Sequence, residues 1–276
     1  MKSDIVKKLD EIKPVMLVVF YYPNNADIGL LRRLQQANVP IYLIDNTPAD
    51  DLSMTGSYLF QEGLKWLHRG ENIGLSRAYN RAFAQAKNDG FSHVVIFDQD
   101  TFITQETLDF ITTSLTINSV TDPLAGMINF SQNHPERKGQ RRKRLLVVNS
   151  ATAFNVECHG VVEGFNEVYF VDCVDYDYCL RCLNAKRSIY QVQGTPGLDH
   201  YIGQPGRSFR LFGKTLYARD YGARRNSEIF WGHLRLLRAG MLSLQAYWTF
   251  AIFRSFILFV IGRLVTCVTF VKTGKS

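Results

Sequence analysis

Val15–Tyr22 reads Val-Met-Leu-Val-Val-Phe-Tyr-Tyr, a near-continuous apolar run. A half-exposed strand alternates apolar and polar residues. A run without alternation is the pattern of a parallel strand buried on both faces, and such a strand needs helices above and below it. Pro23-Asn24-Asn25 breaks the run, and Ile28–Ala37 follows with Leu30, Leu31 and Leu34 on one helical face. Pro40 stops that helix, and Ile41–Ile44 is the next strand, ending at Asp45-Asn46-Thr47-Pro48. Ala49 begins a polar segment to about Gly56 that reads as loop, and Leu64–Leu67 is a short third strand. Glu71–Ser76 is a turn in which Ser76 is expected to cap a helix over Arg77–Lys87, with Ala78, Ala82, Phe83 and Ala86 facing in.

Val94–Thr101, Val-Val-Ile-Phe-Asp-Gln-Asp-Thr, is the central strand of this series, and Asp98 and Asp100 stand at its end. A parallel strand points its C-terminal edge at the crevice where open α/β sheets bind ligands. Two carboxylates there call for a counter-charge. Mg2+ or Mn2+ takes oxygen ligands and bridges carboxylate to phosphate. The alternative is a polar turn after a core strand, with Asp98 capping the next helix. The strand–helix alternation predicts an α/β fold with a mainly parallel sheet.

Further on, the periodicities predict a helix over Gln105–Leu115, strands over Ala125–Phe130, Leu145–Ser150 and Ile189–Val192, and a turn with a short extended piece over Gly164–Asp172. Asp175–Arg181 opens a helix, with Leu180 and Leu183 inward and Asp175 or Asp177 near its positive end. Glu136–Arg144 holds six basic residues and reads as an exposed loop, either simply solvated or in contact with phosphates or an anionic membrane. His200, Tyr201 and Gly203 lie in a Gly/Pro-rich loop. Ile5, Leu9 and Ile12 predict a short amphipathic lead-in helix.

A chain of 276 residues suits one large domain or a domain with an appendage. Its net charge of +7 favours acidic partners such as nucleotide phosphates or anionic lipid. No nucleic-acid recognition motif accompanies that charge, so nucleic acid is not an expected partner. Five irregularly spaced cysteines do not make a disulfide framework. The Cys179/Cys182 pair lacks a second metal-ligand pair, so reduced, partly buried thiols are expected. Met1–Pro14 is charged, without an apolar segment, and a cytosolic location is expected.

The tail changes character. Trp248–Val271 is almost all apolar, but Arg254 and Arg263 interrupt it. The stretch between them falls short of the ~20 residues of a spanning helix. Arg235, Arg238 and Lys272 flank the region, and Tyr247 and Trp248 suit a bilayer interface. The reading is a peripheral or monotopic helix in or on the cytoplasmic leaflet, against a true span or a helix packed on the domain or a dimer partner. The expected division is residues 1–233 and a membrane-associating tail, 234–276.

Several separated segments resemble family-2 glycosyltransferases of GT-A fold, and within them the bacterial rhamnosyltransferases. Asp45-Asn46 resembles the family's Asp-Asn that faces base and ribose. Asn72-x-Gly74-x-x-x-Ala78-x-Asn80 resembles its turn-and-helix motif, and Asp98-Gln99-Asp100 its D-x-D. Gly164-Phe165-Asn166-Glu167, Phe170-Val171-Asp172 and Asp175-Tyr176-Asp177-Tyr178-Cys179-Leu180-Arg181 resemble its Gly-Phe-Asp-Glu, Phe-Ile-Asp and Asp-x-Glu/Asp-x-Cys-Leu-Arg block. Tyr217–Asn226, with Arg219, Tyr221, Arg225 and Asn226, resembles an element found after the core in that branch. Val174 stands where relatives often have Glu, Asn166 where they have Asp, and Ser150-Ala151-Thr152 where many have Thr/Ser-Ser-Gly.

The resemblance implies a Rossmann-like nucleotide-diphospho-sugar transferase acting with inversion. It implies Asp175 as general base, with Asp177 as rival. Asp98 and Asp100 are the implied ligands of Mg2+ or Mn2+, with His200 a further ligand or a loop histidine. Asp45, Asn72, Arg77, Gln99 and Arg225 are expected at the donor, and Asp172 and Asp177 at the acceptor. The expected partners are a nucleotide-sugar donor, dTDP-rhamnose being favoured over a UDP-sugar, a lipid-diphosphate-linked glycan acceptor, and the anionic cytoplasmic face of the inner membrane. A non-catalytic nucleotide-sugar or glycan-binding protein is the reading from another class.

Overall fold

The computed structural model describes residues 12–54, 64–200, 207–211, 214–218 and 221–273. The elements in chain order are β1 (Pro14–Phe20), α1 (Asn25–Gln36), β2 (Ile41–Pro48), β3 (Leu64–Gly70), α2 (Gly74–Asn88), β4 (His93–Asp98), β5 (Thr101–Phe102), α3 (Gln105–Thr121), β6 (Ala125–Phe130), β7 (Arg141–Lys143), β8 (Thr152–Asn155), α4 (Val156–Val161), α5 (Val174–Asn184), β9 (Ser188–Val192), β10 (Asp199–His200), β11 (Arg207–Leu211), β12 (Lys214–Ala218), α6 (Gly222–Leu242) and α7 (Ala246–Thr273). They form two compact units, Met1–Tyr201 and Ile202–Ser276. The expected boundary at 233/234 falls inside α6.

The first unit holds an eight-stranded sheet in the order β3-β2-β1-β4-β8-β6-β9-β7. β1 to β4 are mutually parallel, and β6 is parallel to β9. β8 runs against both β4 and β6, and β7 closes the far edge antiparallel to β9. The apolar run of β1 is accounted for by its central place: Val15 to Phe20 are all buried, with α1 and α3 supplying Leu30, Leu34, Leu108 and Ile111 to the same core. Aromatic rings pack elsewhere in the same unit. Phe83 of α2 meets Phe154 of β8 edge to face at 6.0 Å, and Phe165 lies 4.3 Å from Tyr178 of α5.

Register sets up the crevice. At the end of β1, Phe20 pairs with Asp45 on one side and Val19 with Asp98 on the other. With neighbouring strands ~4.8 Å apart, the two carboxylate-bearing positions flank the sheet centre at about 10 Å.

The second unit contains the β11–β12 hairpin and the helices α6 and α7. Trp248, Leu236 and Ile252 are buried between the two helices. A Cβ on Gly240 would lie 2.7 Å from the Trp248 ring, so only glycine permits this approach. Ala246–Leu264 is long and apolar enough to cross a membrane by length and composition, and only 11% of that window is buried.

Several local expectations are corrected. Leu145–Ser150 is irregular, and the strand lies at Thr152–Asn155 instead. The basic loop is partly ordered as the edge strand β7. Ser76 lies inside α2 rather than capping it, because its hydroxyl donates to the Tyr169 carbonyl at 2.6 Å. Asp98 does not cap the next helix; Thr104 does, in a capping box with Thr107. Trp248 is buried and Leu183 only half-buried. The lead-in helix lies outside the described residues, apart from Ile12, which is not helical.

Candidate active site

The Asp98–Asp100 turn is held from both sides. Gln99 accepts from the Tyr21 backbone N–H at 2.8 Å and donates to Asp27 at 3.2 Å, which ties the turn to the first turn of α1. The Ser150 hydroxyl accepts from the Asp98 N–H at 3.2 Å and bonds Thr101 Oγ1 at 2.8 Å. Gln99 is therefore a tether, which leaves Asp98 and Asp100, both exposed, to face a ligand. Asp98 reaches the crevice surface at its tip, yet the protein behind it disfavours its charge and pushes the carboxyl up to about 6, and the Asp100 charge adds to the shift. Two carboxylates set this close, the charge of one raising the other, are a fitting pair of donors for one hard cation. Among the described residues no group of three His, Cys, Asp or Glu side chains forms a fuller cage. Phosphate oxygens would complete the coordination. His200 pairs through its backbone with Thr101, next to this turn, and its side chain lies outside the described residues.

Asp175 stands in the first turn of α5. Cys173, in the left-handed region at φ 69°, swings the chain into that helix. The Tyr176 N–H donates to Asp175 Oδ1 at 2.9 Å. Burial pushes this carboxyl up to about 7; the Asp98 and Asp172 charges add to the shift, and the Tyr176 N–H opposes it. Tyr79 of α2 records the same neighbourhood. Burial raises it first, then the charges of Asp98 and Asp175, against a hydrogen bond from Asn149. Asp98, Asp175, Tyr79 and Asn149 thus converge on one place, although β4, α5, α2 and the loop before β8 bring them from four parts of the chain.

The Asp45-Asn46 pair lies near the C-terminal end of β2, with Asp45 paired to Phe20 of β1. Asp45 is buried and spends Oδ1 on the Thr47 N–H at 2.9 Å; its Oδ2 is buried without a partner. Asn46 donates to the Gly74 carbonyl at 3.3 Å, and its Oδ1 is likewise buried and unpartnered. Two orphaned acceptors side by side are costly unless an N–H or O–H arrives. Tyr21 and Tyr22 are half-exposed beside them, with Tyr22 held by Thr47 and Asp51 in the left-handed region at φ 48°.

Other expected site residues hold the crevice walls together. Asn72 accepts from Gly74 N–H at 3.1 Å and shapes the turn into α2. Gly74 has φ +76°, and a Cβ there would lie 2.6 Å from the Phe170 ring. Asn80 brackets Phe165, donating to its carbonyl at 3.0 Å and accepting from its N–H at 2.8 Å, and it also donates to Glu167. Arg77 pairs with Glu167 at 3.1 Å. Asp177 is buried and pairs with Arg181 at 2.6 Å, so it braces α5. Asp172 is half-buried and close enough to raise Asp175. Arg225 belongs to the second unit, over the Tyr221 ring at 4.4 Å.

The sequence reading missed Asp27, Tyr79 and Asn149, and met Ser150 only as part of a departure from the family pattern. Asp27 had a local signal, the Asn24-x-x-Asp27 capping box. The other three serve the site through neighbours distant in sequence and carry no local signal.

No protein-family model matches the chain. A curated protein similar to it is dTDP-rhamnosyl transferase RfbF of Shigella flexneri, 23% identical over 188 residues that cover 61% of this chain and 62% of that protein. The match thus spans less than two thirds of the relative. Among solved structures, GalNAc-T7 with UDP, GalNAc and Mn2+ superimposes with a TM-score of 0.57 at 9% identity, covering 82% of this chain and 48% of that one. S. aureus TarS 1-349 in complex with UDP-GlcNAc gives 0.50 at 14% identity, covering 83% and 66%. The fold is GT-A-like, a mixed, mostly parallel sheet with flanking helices, and the likeness to glycosyltransferases of rhamnosyltransferase type stands.

Proposed function

We propose that the chain is an inverting glycosyltransferase that moves a sugar, favoured as L-rhamnose from dTDP-rhamnose, to a hydroxyl of a lipid-diphosphate-linked glycan at the cytoplasmic face of the membrane. The observation that carries this reading is the convergence of Asp98 with Asp175, whose carboxyl is held near neutrality. A group poised there takes a proton efficiently at physiological pH.

Asp175 accepts the proton of the acceptor hydroxyl as its oxygen bonds to the anomeric carbon and the bond to the nucleoside diphosphate breaks. Asp98 and Asp100 would hold Mg2+ or Mn2+, which when bound supplies positive charge to the departing diphosphate. Gln99 and Ser150 keep the two carboxylates in place during that step. The orphaned Asp45 and Asn46 acceptors suit the imide N–H of a pyrimidine or a sugar hydroxyl, with Tyr21 or Tyr22 beside the base. That chemistry serves thymine and uracil alike, so a UDP-sugar is the alternative donor. The dTDP-rhamnosyl name of the Shigella relative favours thymine.

The test is nucleotide diphosphate release from a panel of dTDP- and UDP-sugars with Mg2+ or Mn2+ and a lipid-diphosphate sugar acceptor. Asp175→Asn is run in parallel. Metal-dependent release from dTDP-rhamnose alone, lost in the variant, supports the whole reading. Release from a UDP-sugar instead replaces the donor and keeps the chemistry. Nucleotide binding without release from any donor favours the non-catalytic alternative.

A further inference from the structure

The α6–α7 hairpin ends in a tip of a particular kind. The turn is a Schellman motif: Gln245 N–H bonds the Gly240 carbonyl and Leu244 N–H the Met241 carbonyl. That motif wants glycine or asparagine at the left-handed position. Here Leu244 takes it at φ 56° and is 88% exposed. A strained backbone position is thus spent on displaying a large apolar side chain to the surroundings. Met241, Leu242, Tyr247 and Phe250 surround it, all exposed.

Between the helices behind the tip lies a groove of about 570 Å3, lined by residues such as Leu237, Met241, Phe250 and Phe253. Its one hydroxyl, on Thr249, is already spent on the Gln245 carbonyl at 2.8 Å. The groove offers water almost no partner. It does offer one to a hydrocarbon chain.

Charge specifies what the tip meets. From residue 229 onward the chain carries six basic residues and no acidic one. Arg238 and Arg235 are exposed on α6, about 9 and 13 Å behind Leu244 along the helix. Arg254 is exposed on α7, about 12 Å from that helix's start. Arginines on both arms, set back to or just beyond the ~5–10 Å to which interfacial helices sink, fit a layer of headgroup phosphates above an acyl layer.

We infer that this hairpin inserts tip-first into one leaflet of an anionic bilayer, with Leu244, Tyr247 and Phe250 among the acyl chains and Arg235, Arg238 and Arg254 on the phosphates. This replaces a flat-lying or spanning α7. It rests on the membrane half of the proposed function and not on the transfer chemistry.

The experiment is vesicle flotation of the full chain on phosphatidylcholine with and without 30% phosphatidylglycerol (about a third, chosen to give an anionic surface). It is combined with melting curves, light scattering and dTDP titration. Leu244→Asn relieves the strained turn, so it melts no lower than wild type while partitioning about tenfold more weakly. Arg235→Gln, Arg238→Gln and Arg254→Gln together remove the preference for anionic vesicles, about fivefold per arginine. Ile257→Asp with Leu258→Asp, exposed but behind Arg254, leaves binding in place. Unchanged flotation of Leu244→Asn overturns the inference. So does equal loss on changing Ile257 and Leu258, which a flat or spanning helix requires. A lipid-free dimer that Leu244→Asn dissociates assigns the tip to a second copy. The dTDP titration is expected to stay the same in all variants. Its absence in wild type would sink the nucleotide reading while leaving the hairpin result standing.

Discussion

Titration of Asp175 sets how fast transfer can run below neutral pH. The perturbation is pH itself, with Asp175→Asn as reference. With its carboxyl pushed up to about 7, Asp175 is ionised only about 9% at pH 6 and about 91% at pH 8. Transfer that needs the carboxylate as base therefore rises about tenfold in kcat/KM between those values. A carboxyl at its ordinary value is essentially all ionised at pH 6 and gives a flat line. Asp175→Asn is expected to lose about 10^2- to 10^4-fold and to show no rise in that window. Stability moves the other way. The folded-state value lies above that of the unfolded chain, so the contribution is complete below about pH 4 and is lost as pH rises through about 7. The melting temperature of Asp175→Asn accordingly overtakes wild type above neutrality. Nucleotide diphosphate release at saturating metal, followed from pH ~5.5 to ~8.5, reads the first effect, with the cation on Asp98 moving the rise to somewhat lower pH. Thermal melting of the metal-free protein reads the second. A wild-type profile flat from pH 6 to 8, with the variant still slow, would refute the reasoning, because burial would not be governing the base.

Three further outcomes follow from the walls of the crevice. Asn80→Ala removes three hydrogen bonds between α2 and the 165–167 segment and costs about 2–3 kcal/mol in urea unfolding. A cost under about 0.5 kcal/mol, the range of ordinary surface changes, means the bracket carries no strain-bearing load. Gly74→Ala combines a left-handed backbone with a clash against Phe170 and costs about 2–4 kcal/mol; adding Phe170→Ala recovers only the steric part in a double-mutant cycle. Asp45→Asn places an amide where an unpartnered acceptor now waits and weakens dTDP binding by about tenfold or more in titration calorimetry; an unchanged affinity moves the base elsewhere.

The parallel half of the sheet was legible because burial on both faces writes itself into composition. Val15 to Phe20 and Val94 to Phe97 have no polar face to confuse the period, and Pro40 and Pro23 mark their neighbours' limits. Asp98 drew notice by its place at the end of a buried strand, and Asp175 by the family resemblance. The region before β8 was not legible. Leu145 to Val148 has the branched residues of a strand, but the following Asn149 and Ser150 are recruited by Tyr79, Asp98 and Thr101, and Asn129 Nδ2 donates to the Ser150 carbonyl at 3.1 Å. Those tertiary bonds take the chain out of the ladder. Ser76 shows the same conflict in miniature: a good capping residue whose hydroxyl finds a better acceptor 93 positions away. Asn80 entered only as the last member of a turn-and-helix motif. Its partner, 85 residues on, makes it a clasp. Local rules cannot see a bond whose two ends are joined only by the finished fold.

The reversed direction of β8 decides where this chain can vary in length. Every parallel strand delivers its following loop to the crevice, whereas β8 delivers the loop that precedes it. Residues added between Lys143 and Ser150 would enter the space beside Asp98 and alter what fits there. Residues added after Asn155 would emerge at the other end of the sheet, where Val156 N–H bonds the Ser92 carbonyl, and leave that space untouched. Relatives that differ in acceptor are thus expected to differ in the first stretch, and relatives that differ only in partners or solubility in the second.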